Sequence, residues 1–194
     1  MMKPHFDNLT RAALAAIFVG MMGFGSAMPV LAASGGGGGG GGGSSGAGGV
    51  PPQCRQGLVW DKKVRRCVRA QSSNLPDKEL LEQGRALALA GYYDDALIVL
   101  DAVQNKQDAM VLTYIGYSHR KKGDTDVGIG FYKQALAIDP NNINTREYLG
   151  EGYASAGKME LAKAELGIIE KLCGNKECEQ YEDLAAAIAG NPVD

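Results

Sequence analysis

The sequence predicts an all-α fold, a short helical solenoid of three helix pairs followed by a capping helix at the C terminus. The first observation is a repeat of glycines, because Gly84, Gly116 and Gly150 are separated by 32 and 34 residues and each has a second glycine seven positions later. A period of this length is typical of stacked helical pairs. The second observation is that apolar residues recur at helical spacing along the same region. A small hairpin closed by a disulfide is expected in front of the repeats.

Residues 1–33 are predicted to be a secretory signal peptide. Lys3 and Arg11 supply the positive start, an apolar stretch follows, and small residues provide a cleavage position after Ala32 or Ala33. The apolar stretch is shorter than the roughly 20 residues that a membrane-spanning helix needs, so a transmembrane anchor is the less favoured alternative. We therefore expect an exported protein of the periplasm of a Gram-negative bacterium, one that does not span the membrane after cleavage.

Residues 34–49 are predicted to form a flexible linker. They contain twelve of the 28 glycines in the chain and almost no side chain that can bury apolar area. A segment of this composition behaves as a flexible coil. Spacing is the simplest role for it, and only its unusual composition would suggest a binding function.

Four cysteines fall in two close pairs, Cys54 with Cys67 and Cys173 with Cys178. In an oxidising compartment such pairs indicate disulfides. Three pairings are open to four cysteines, and the sequential pairing is preferred because it needs the least rearrangement of the chain. The spacings differ from those of zinc sites, and His119 is the only histidine left after signal removal. No metal and no other cofactor is expected.

Residues 50–70 are predicted to form the disulfide-closed hairpin, with a first strand at 58–60 and a returning strand at 64–68. The pattern Cys-x2-Gly-x2-Trp-Asp…Cys resembles a small module of bacterial exported proteins and, loosely, chitin-binding domains. This resemblance makes Trp60 a possible carbohydrate contact. The favoured alternative is that Trp60 forms the small core beside the disulfide. The basic run at 62–66 is expected to be a solvated turn, with contact to anionic envelope polymers as the alternative.

Residues 75–173 are predicted to contain three repeats, of which the middle one is the most regular. It ends in the string ALAIDPNN at 135–142. Together with the glycine pattern, this string resembles the tetratricopeptide repeat (TPR) family, whose repeats are pairs of helices. The resemblance is weaker in the outer repeats, where Gln83 occupies a position that is usually apolar. The middle repeat departs at His119, where tyrosine is usual, and at Gly128, where alanine is usual.

Residues 174–194 are predicted to form a capping helix and tail. Tyr181, Leu184, Ala185 and Ile188 lie on one helical stripe, while acidic residues take the other faces. A terminal repeat needs such a cover because it cannot bury its apolar face alone. The Cys173–Cys178 bridge would lie in the turn before this helix and hold its docking angle.

The TPR resemblance implies that the first helix of each pair lines a concave groove that binds a partner segment. Tyrosine and arginine dominate binding hot spots, although tyrosines at these positions can instead pack between helices. The basic carboxylate-clamp pattern of some TPR proteins is absent. The positions that match the partner contacts of the TPR family include Glu147. From these positions, the residues predicted to contact a partner are Arg85, Tyr114, Tyr117, Arg120, Lys121, Tyr148 and Glu151.

Charge and motifs limit the function. The chain has 20 basic and 22 acidic residues, and a slightly acidic balance argues against nucleic-acid binding. No nucleophile–base pair, phosphate loop or metal cluster is visible, so an enzyme is not expected. The sequence favours a protein–protein interaction scaffold of the cell envelope with an exported protein as partner. The alternative is a wall-polysaccharide protein that uses the hairpin, and a homodimer formed through the repeat ends is also open.

Overall fold

The computed structural model describes residues 54–191. The predicted signal peptide, the glycine linker and Pro192 lie outside these residues. Over the described range, no helix combines the length and the apolar character that a bilayer span requires. The α-helices of this range are α1 (Asp77–Leu89), α2 (Tyr93–Asp101), α3 (Ala109–Lys122), α4 (Thr125–Ile138), α5 (Ile143–Ser155), α6 (Met159–Cys173) and α7 (Glu179–Ile188).

The helices pack in consecutive pairs, α1 with α2, α3 with α4 and α5 with α6, and α7 packs across α5 and α6. Within each pair the turn contains a glycine in the left-handed region, with φ of 81° at Gly91, 104° at Gly123 and 70° at Gly157. Residues other than glycine rarely adopt this conformation. The prediction of an all-α solenoid with three helix pairs and a C-terminal capping helix is confirmed.

The first glycine of each repeat lies where two helices touch. A Cβ atom on Gly84 would be 2.7 Å from the Leu100 side chain, and one on Gly116 would be 2.8 Å from the Tyr132 ring. In the third repeat the neighbour is different, because a Cβ on Gly150 would be 2.5 Å from Leu184 of α7. Close approach therefore occurs within the first two pairs, whereas the third glycine receives the capping helix.

The apolar stripe of α6 differs from the expected one. Leu161, Ile168 and Leu172 recur at helical spacing, which predicts that they share the buried face of this helix. Leu161, however, is 48% exposed. Ala162 and Ile169 are the fully buried side chains of α6. The buried face of α6 is therefore the one that carries Ala162 and Ile169, and Leu161 lies in solvent.

The N-terminal part is an antiparallel hairpin of β1 (Leu58–Asp61) and β2 (Arg66–Arg69), as predicted. Asp61 Oδ1 accepts hydrogen bonds from the backbone N–H groups of the turn residues Lys63 and Val64. A single helical turn, 3₁₀ in type, follows at Ala70–Ser72. The Cys54–Cys67 disulfide closes this hairpin, with a Cα–Cα distance of 5.8 Å.

The second disulfide joins Cys173 to Cys178 across 6.4 Å between Cα atoms. It spans the turn in which α6 ends, at Gly174 with φ 74°, and α7 begins, after Cys178. The bridge therefore restricts the angle between the last repeat and the capping helix, as expected from the sequence.

Candidate binding groove

The predicted contact residues lie on the first helices of the pairs. Arg85 is on α1, and α5 bears Tyr148 and Glu151. The α3 members are Tyr114, Tyr117, Arg120 and Lys121. Since α3 packs beside both α1 and α5, these side chains share one surface, which we call the inner surface and define as the groove-side face of α1, α3 and α5.

A cluster of tyrosine rings forms the centre of the inner surface. The Tyr117 ring centroid lies 6.4 Å from that of Tyr114, 6.4 Å from that of Tyr93 and 5.1 Å from that of Tyr148. Tilted and edge-to-face contacts of this kind stabilise beyond simple burial. Tyr114 is 1% exposed and Tyr117 is 4% exposed, so both belong to the packed interior.

Arg120 connects the tyrosine cluster to α4 and α5. Its Nε donates a hydrogen bond of 3.3 Å to the Tyr132 hydroxyl, and its Nη2 donates to Glu151 Oε2. The guanidinium carbon also lies 5.6 Å from the Tyr117 ring centroid and 5.9 Å from that of Tyr148. The Arg120 and Glu151 side chains are only 8% and 4% exposed. Removing one partner of such a buried pair leaves an uncompensated charge and is strongly destabilising.

The remaining predicted contacts are accessible. Arg85 is exposed and donates a 2.5 Å hydrogen bond from Nε to the Tyr114 hydroxyl. Lys121 and Tyr148 are half-buried, and the Lys121 ammonium lies 5.7 Å from the Tyr117 ring centroid. The seven predicted residues therefore separate into two sets. We call Tyr114, Tyr117, Arg120 and Glu151 the floor, and Arg85, Lys121 and Tyr148 the rim.

The main residue that the sequence-based selection passed over is Glu147. It is 7% exposed, and burial, followed by the charges of Glu151, Asp183 and Glu179, raises its pKa to about 8. Burial also raises the pKa of Glu151, with the facing Arg120 acting in the opposite direction. The sequence signal for this site was the spacing of Glu147 and Glu151, which places both on one helix face.

The hairpin is attached to the first repeat through polar contacts. Gln83 of α1 accepts a 2.6 Å hydrogen bond from the Trp60 N–H and donates a 3.0 Å bond to the Trp60 carbonyl. Arg55 donates a 2.7 Å bond to Asp95 of α2. The fully buried member of β1 is Val59, and Trp60 is half-buried. Gln83 thus pairs with the edge of β1, which accounts for a polar residue at a usually apolar position.

Metal chemistry has no structural support in the described part of the chain. No group of three or more His, Cys, Asp or Glu side chains there is arranged to hold a metal ion. His119 stacks on the Phe131 ring, with 5.7 Å between centroids, and lies 3.4 Å from Asp124. This histidine therefore has structural neighbours on α4 and in the turn between α3 and α4.

No protein-family model and no curated protein sequence matches the chain. Among solved structures, it is similar to the type III secretion translocator chaperone SycD of Yersinia enterocolitica, with a TM-score of 0.52 and 20% identity. That match covers 58% of this chain and 81% of SycD. A SycD structure described as an alternative dimer has a TM-score of 0.50 and 19% identity, covering 59% and 86% of the two chains.

A third structure shows SycD in complex with a peptide of the translocator YopD, and it has a TM-score of 0.49 and 19% identity. It covers 58% of this chain and 86% of that chain. At this level of identity, the likeness to the first two structures shows the fold and nothing beyond it. The protein has a TPR-like helical repeat fold, with helices packed pairwise as in SycD.

Proposed function

We propose that this protein is a non-enzymatic interaction module of the bacterial cell envelope that binds an extended segment of another exported protein along the inner surface. The observation that supports it best is the division of that surface into a rigid floor and an accessible rim. A floor held by ring contacts and a buried ion pair is preorganised, so little entropy is lost when a partner binds.

The rim supplies groups suited to a peptide. Tyr148 offers a large amphipathic ring with few rotatable bonds, and Arg85 and Lys121 offer fixed positive charge beside it. Aromatic rings and arginine are the side chains that most often dominate binding energy. Tyr117 and Arg120 support these groups from beneath, which gives the predicted contact residues two different roles.

Export is part of the proposal. Two disulfides within residues 54–191 support an oxidising compartment, where such bridges form and persist. The signal peptide is predicted from sequence and lies outside the described residues. Periplasmic fractionation of the producing cell, with N-terminal sequencing of the mature protein, tests both points. A chain that begins at Met1 and remains in the cytoplasm would contradict them.

The groove is tested with a rim variant, Lys121→Glu combined with Tyr148→Ala. The mature protein and this variant are used to capture partners from envelope extract, and each captured protein is then titrated in pure form. We expect a partner that binds the wild type and loses at least about tenfold in affinity with the rim variant, which corresponds to about 1.4 kcal/mol.

The matched control for the rim variant is Lys171→Glu, which reverses an exposed charge on α6 away from the groove. Circular dichroism verifies that both variants fold. A partner that binds the rim variant and the wild type equally would place recognition outside the inner surface.

The second candidate is binding of wall polysaccharide through the hairpin. The observation that favours it is an exposed basic strip beside the half-buried Trp60. Its members are Lys62, Lys63, Arg65, Arg66 and Arg69. Retention on insoluble peptidoglycan or chitin that is lost on Trp60→Ala would support this candidate, and absence of retention by the wild type would remove it.

A homodimer through the end of the array is proposed as a separate property. The outer face of α6 leaves Leu161 48% exposed, and Met159 is 39% exposed nearby in sequence. Exposed apolar side chains at an array end are suited to pairing with a second copy. Sedimentation velocity of the wild type and of Leu161→Glu tests this, and a monomeric wild type at high concentration would exclude it.

A further inference from the structure

The contact between α5 and α7 assembles two pairs of carboxylates. Glu147 and Glu151 are one turn apart on α5, and Glu179 and Asp183 are one turn apart on α7. Residues four apart share a helix face, and the pKa of Glu147 responds to the charges of all three others. We call these four residues the acidic recess. It lies at the C-terminal end of the inner surface.

Within the acidic recess, Glu147 differs from Glu151 in its partners. Glu151 accepts a hydrogen bond from Arg120. Glu147 is 7% exposed, and no hydrogen bond or ion pair to it is formed by any residue of 54–191. Every fully buried side-chain oxygen or nitrogen in this range has a hydrogen-bond partner. The Glu147 carboxyl oxygens are therefore not completely enclosed and keep some contact with solvent.

The charges around Glu147 are unbalanced. Among the charges that act on it most strongly, Glu151, Asp183 and Glu179 are negative and Arg120 is positive, and Lys121 acts on the neighbouring Glu151. The guanidinium of Arg120 is already engaged by Glu151 and the Tyr132 hydroxyl. An added cation would therefore meet a net negative environment and an unpartnered carboxylate. A buried charge without a partner is costly, and pairing it with a hydrogen-bonded cation removes much of that cost.

The ligand that fits is a side-chain cation. The described residues provide no cluster arranged for a metal ion. An ammonium or guanidinium group on a flexible stem can instead donate directed hydrogen bonds to a carboxylate. The recess is continuous with the inner surface because Glu151 belongs to both, and Glu147 shares the helix face of Glu151. A peptide in the groove would bring such a side chain to it.

We propose that the acidic recess binds a lysine or arginine side chain of the partner segment, with Glu147 as its direct ion-pair partner. This proposal rests on the proposed function, because it specifies one residue of the peptide that the inner surface would bind. Of the rim cations, Lys121 acts on Glu151 of the recess, whereas Arg85 lies on α1. The partner segment would therefore have its basic residue at the α5–α7 end and tolerate acidic residues near Arg85.

Proton release is a measurable consequence. Since the pKa of Glu147 is raised to about 8 in the free protein, this carboxyl is mostly protonated at neutral pH. A bound cation favours the ionised form and lowers the pKa again. Binding at pH 7 should therefore release close to one proton. Below pH 8, the affinity should increase by up to about tenfold for each unit by which the pH is raised. Isothermal titration calorimetry in buffers of different ionisation enthalpy measures the proton count.

The deciding experiment uses a positional-scanning library of twelve-residue peptides in which each position in turn is Lys, Arg, norleucine or Glu. Fluorescence polarisation compares the wild type with Glu147→Gln and with Glu182→Gln, a matched control at an exposed position of α7. We expect one position at which Lys or Arg binds at least about 30-fold more tightly than norleucine, as for a desolvated charge pair. Glu147→Gln should lose this preference and the pH dependence, and Glu182→Gln should retain both.

The outcomes separate the two proposals. If no peptide binds the folded wild type, both the groove function and the recess proposal are overturned. If peptides bind without a basic preference, or if Glu147→Gln keeps that preference, only the recess proposal fails. If Glu147→Gln instead abolishes self-association in sedimentation velocity, the recess receives the basic hairpin of a second copy, and the proposal of a partner side chain is wrong.

Discussion

The two ends of the helical array each have an added element with its own disulfide, yet polar contacts contribute to the attachment of only one of them. At the N-terminal end, the hairpin places Val59 in the hydrophobic core and adds two hydrogen bonds between Gln83 and the backbone of Trp60 and the Arg55–Asp95 ion pair. At the C-terminal end, α7 is attached by Leu184, which is fully buried.

Polar and apolar contacts contribute differently to the orientation of an attached element and to its stability. Two hydrogen bonds between one amide side chain and one backbone residue determine how a strand lies, but each contributes only about 1 kcal/mol net. Burial of a leucine is non-directional but contributes more free energy, at about 2 kcal/mol or above. We therefore expect that loss of the buried Leu184 side chain at the C-terminal end lowers the stability most. At the N-terminal end, loss of the Gln83 hydrogen bonds should mainly change the orientation of the hairpin.

The largest effect is expected at the C-terminal end, from Leu184→Ala. The side chain is 0% exposed and packs on Gly150, so its loss leaves a cavity between α5 and α7. We expect the free energy of unfolding to fall by about 3 kcal/mol, within the range for buried leucines. Urea denaturation followed by circular dichroism measures it.

The control for this change is Leu161→Ala, at a position that is 48% exposed. It should change stability by no more than about 0.5 kcal/mol. Equal effects of the two substitutions would show that apolar packing does not hold the capping helix.

At the C-terminal end, the contribution of Glu147 should make the free energy of unfolding depend on pH. Burial and neighbouring carboxylates raise the pKa of Glu147 from 4.5 to about 8 in the folded chain. Between these values the folded state binds more protons than the unfolded state, so stability falls as pH rises from about 4.5 to about 8. Glu147→Gln should remove this decline and be more stable at pH 8.5, by on the order of 3 kcal/mol.

Urea midpoints from pH 5 to pH 9 test the titration of Glu147, with Glu182→Gln as the variant that keeps the decline. A wild type whose stability is constant over this range, or a Glu147→Gln variant with an unchanged slope, would mean that Glu147 is ionised without penalty in the fold.

For the two disulfides, the larger loss of stability is expected at the N-terminal end. The Cys54–Cys67 bridge closes a sequence separation of 13 and the Cys173–Cys178 bridge one of 5. In the chain-entropy description, loss of the longer loop costs about 3 kcal/mol and loss of the shorter one about 2 kcal/mol. Paired Cys→Ser variants, measured by denaturation under non-reducing conditions, give the two values. A larger loss from the shorter bridge would indicate that it acts on the native docking of α7.

The smallest effect is expected from Gln83→Ala, at about 1–2 kcal/mol, because two hydrogen bonds to the Trp60 backbone are lost. Trp60 is the single tryptophan of the chain, so its fluorescence reports directly on the hairpin. We expect a shift of its emission before the helices unfold. The control Gln134→Ala, at an exposed position of α4, should leave the emission unchanged. An unchanged emission with Gln83→Ala would instead mean that the hairpin is held by its disulfide alone.

Local patterns were sufficient to predict the helix pairs. The turn glycines Gly91, Gly123 and Gly157 have the positive φ that their positions predicted. Close approach at Gly84 and Gly116 also followed from the repeat. These features depend on residues near one another in the chain, which is why period and composition reveal them.

Tertiary packing decided the features that involve distant residues. The pairing of Gln83 with Trp60, 23 residues away, could not be read from a glutamine at an apolar position. The sequence also did not distinguish the buried floor residues, such as Tyr117, from the accessible rim residues, such as Tyr148. A tyrosine suits either role, so only the packing of neighbouring helices decides which tyrosines are buried.

By itself, the sequence determined the solenoid of helix pairs and the two cysteine pairs. The tertiary structure alone decided how the two ends are attached and that Glu147 is enclosed by like charges. The physical reason is that helix periodicity and turn geometry are local properties of the chain, whereas burial and charge environment depend on which helices meet.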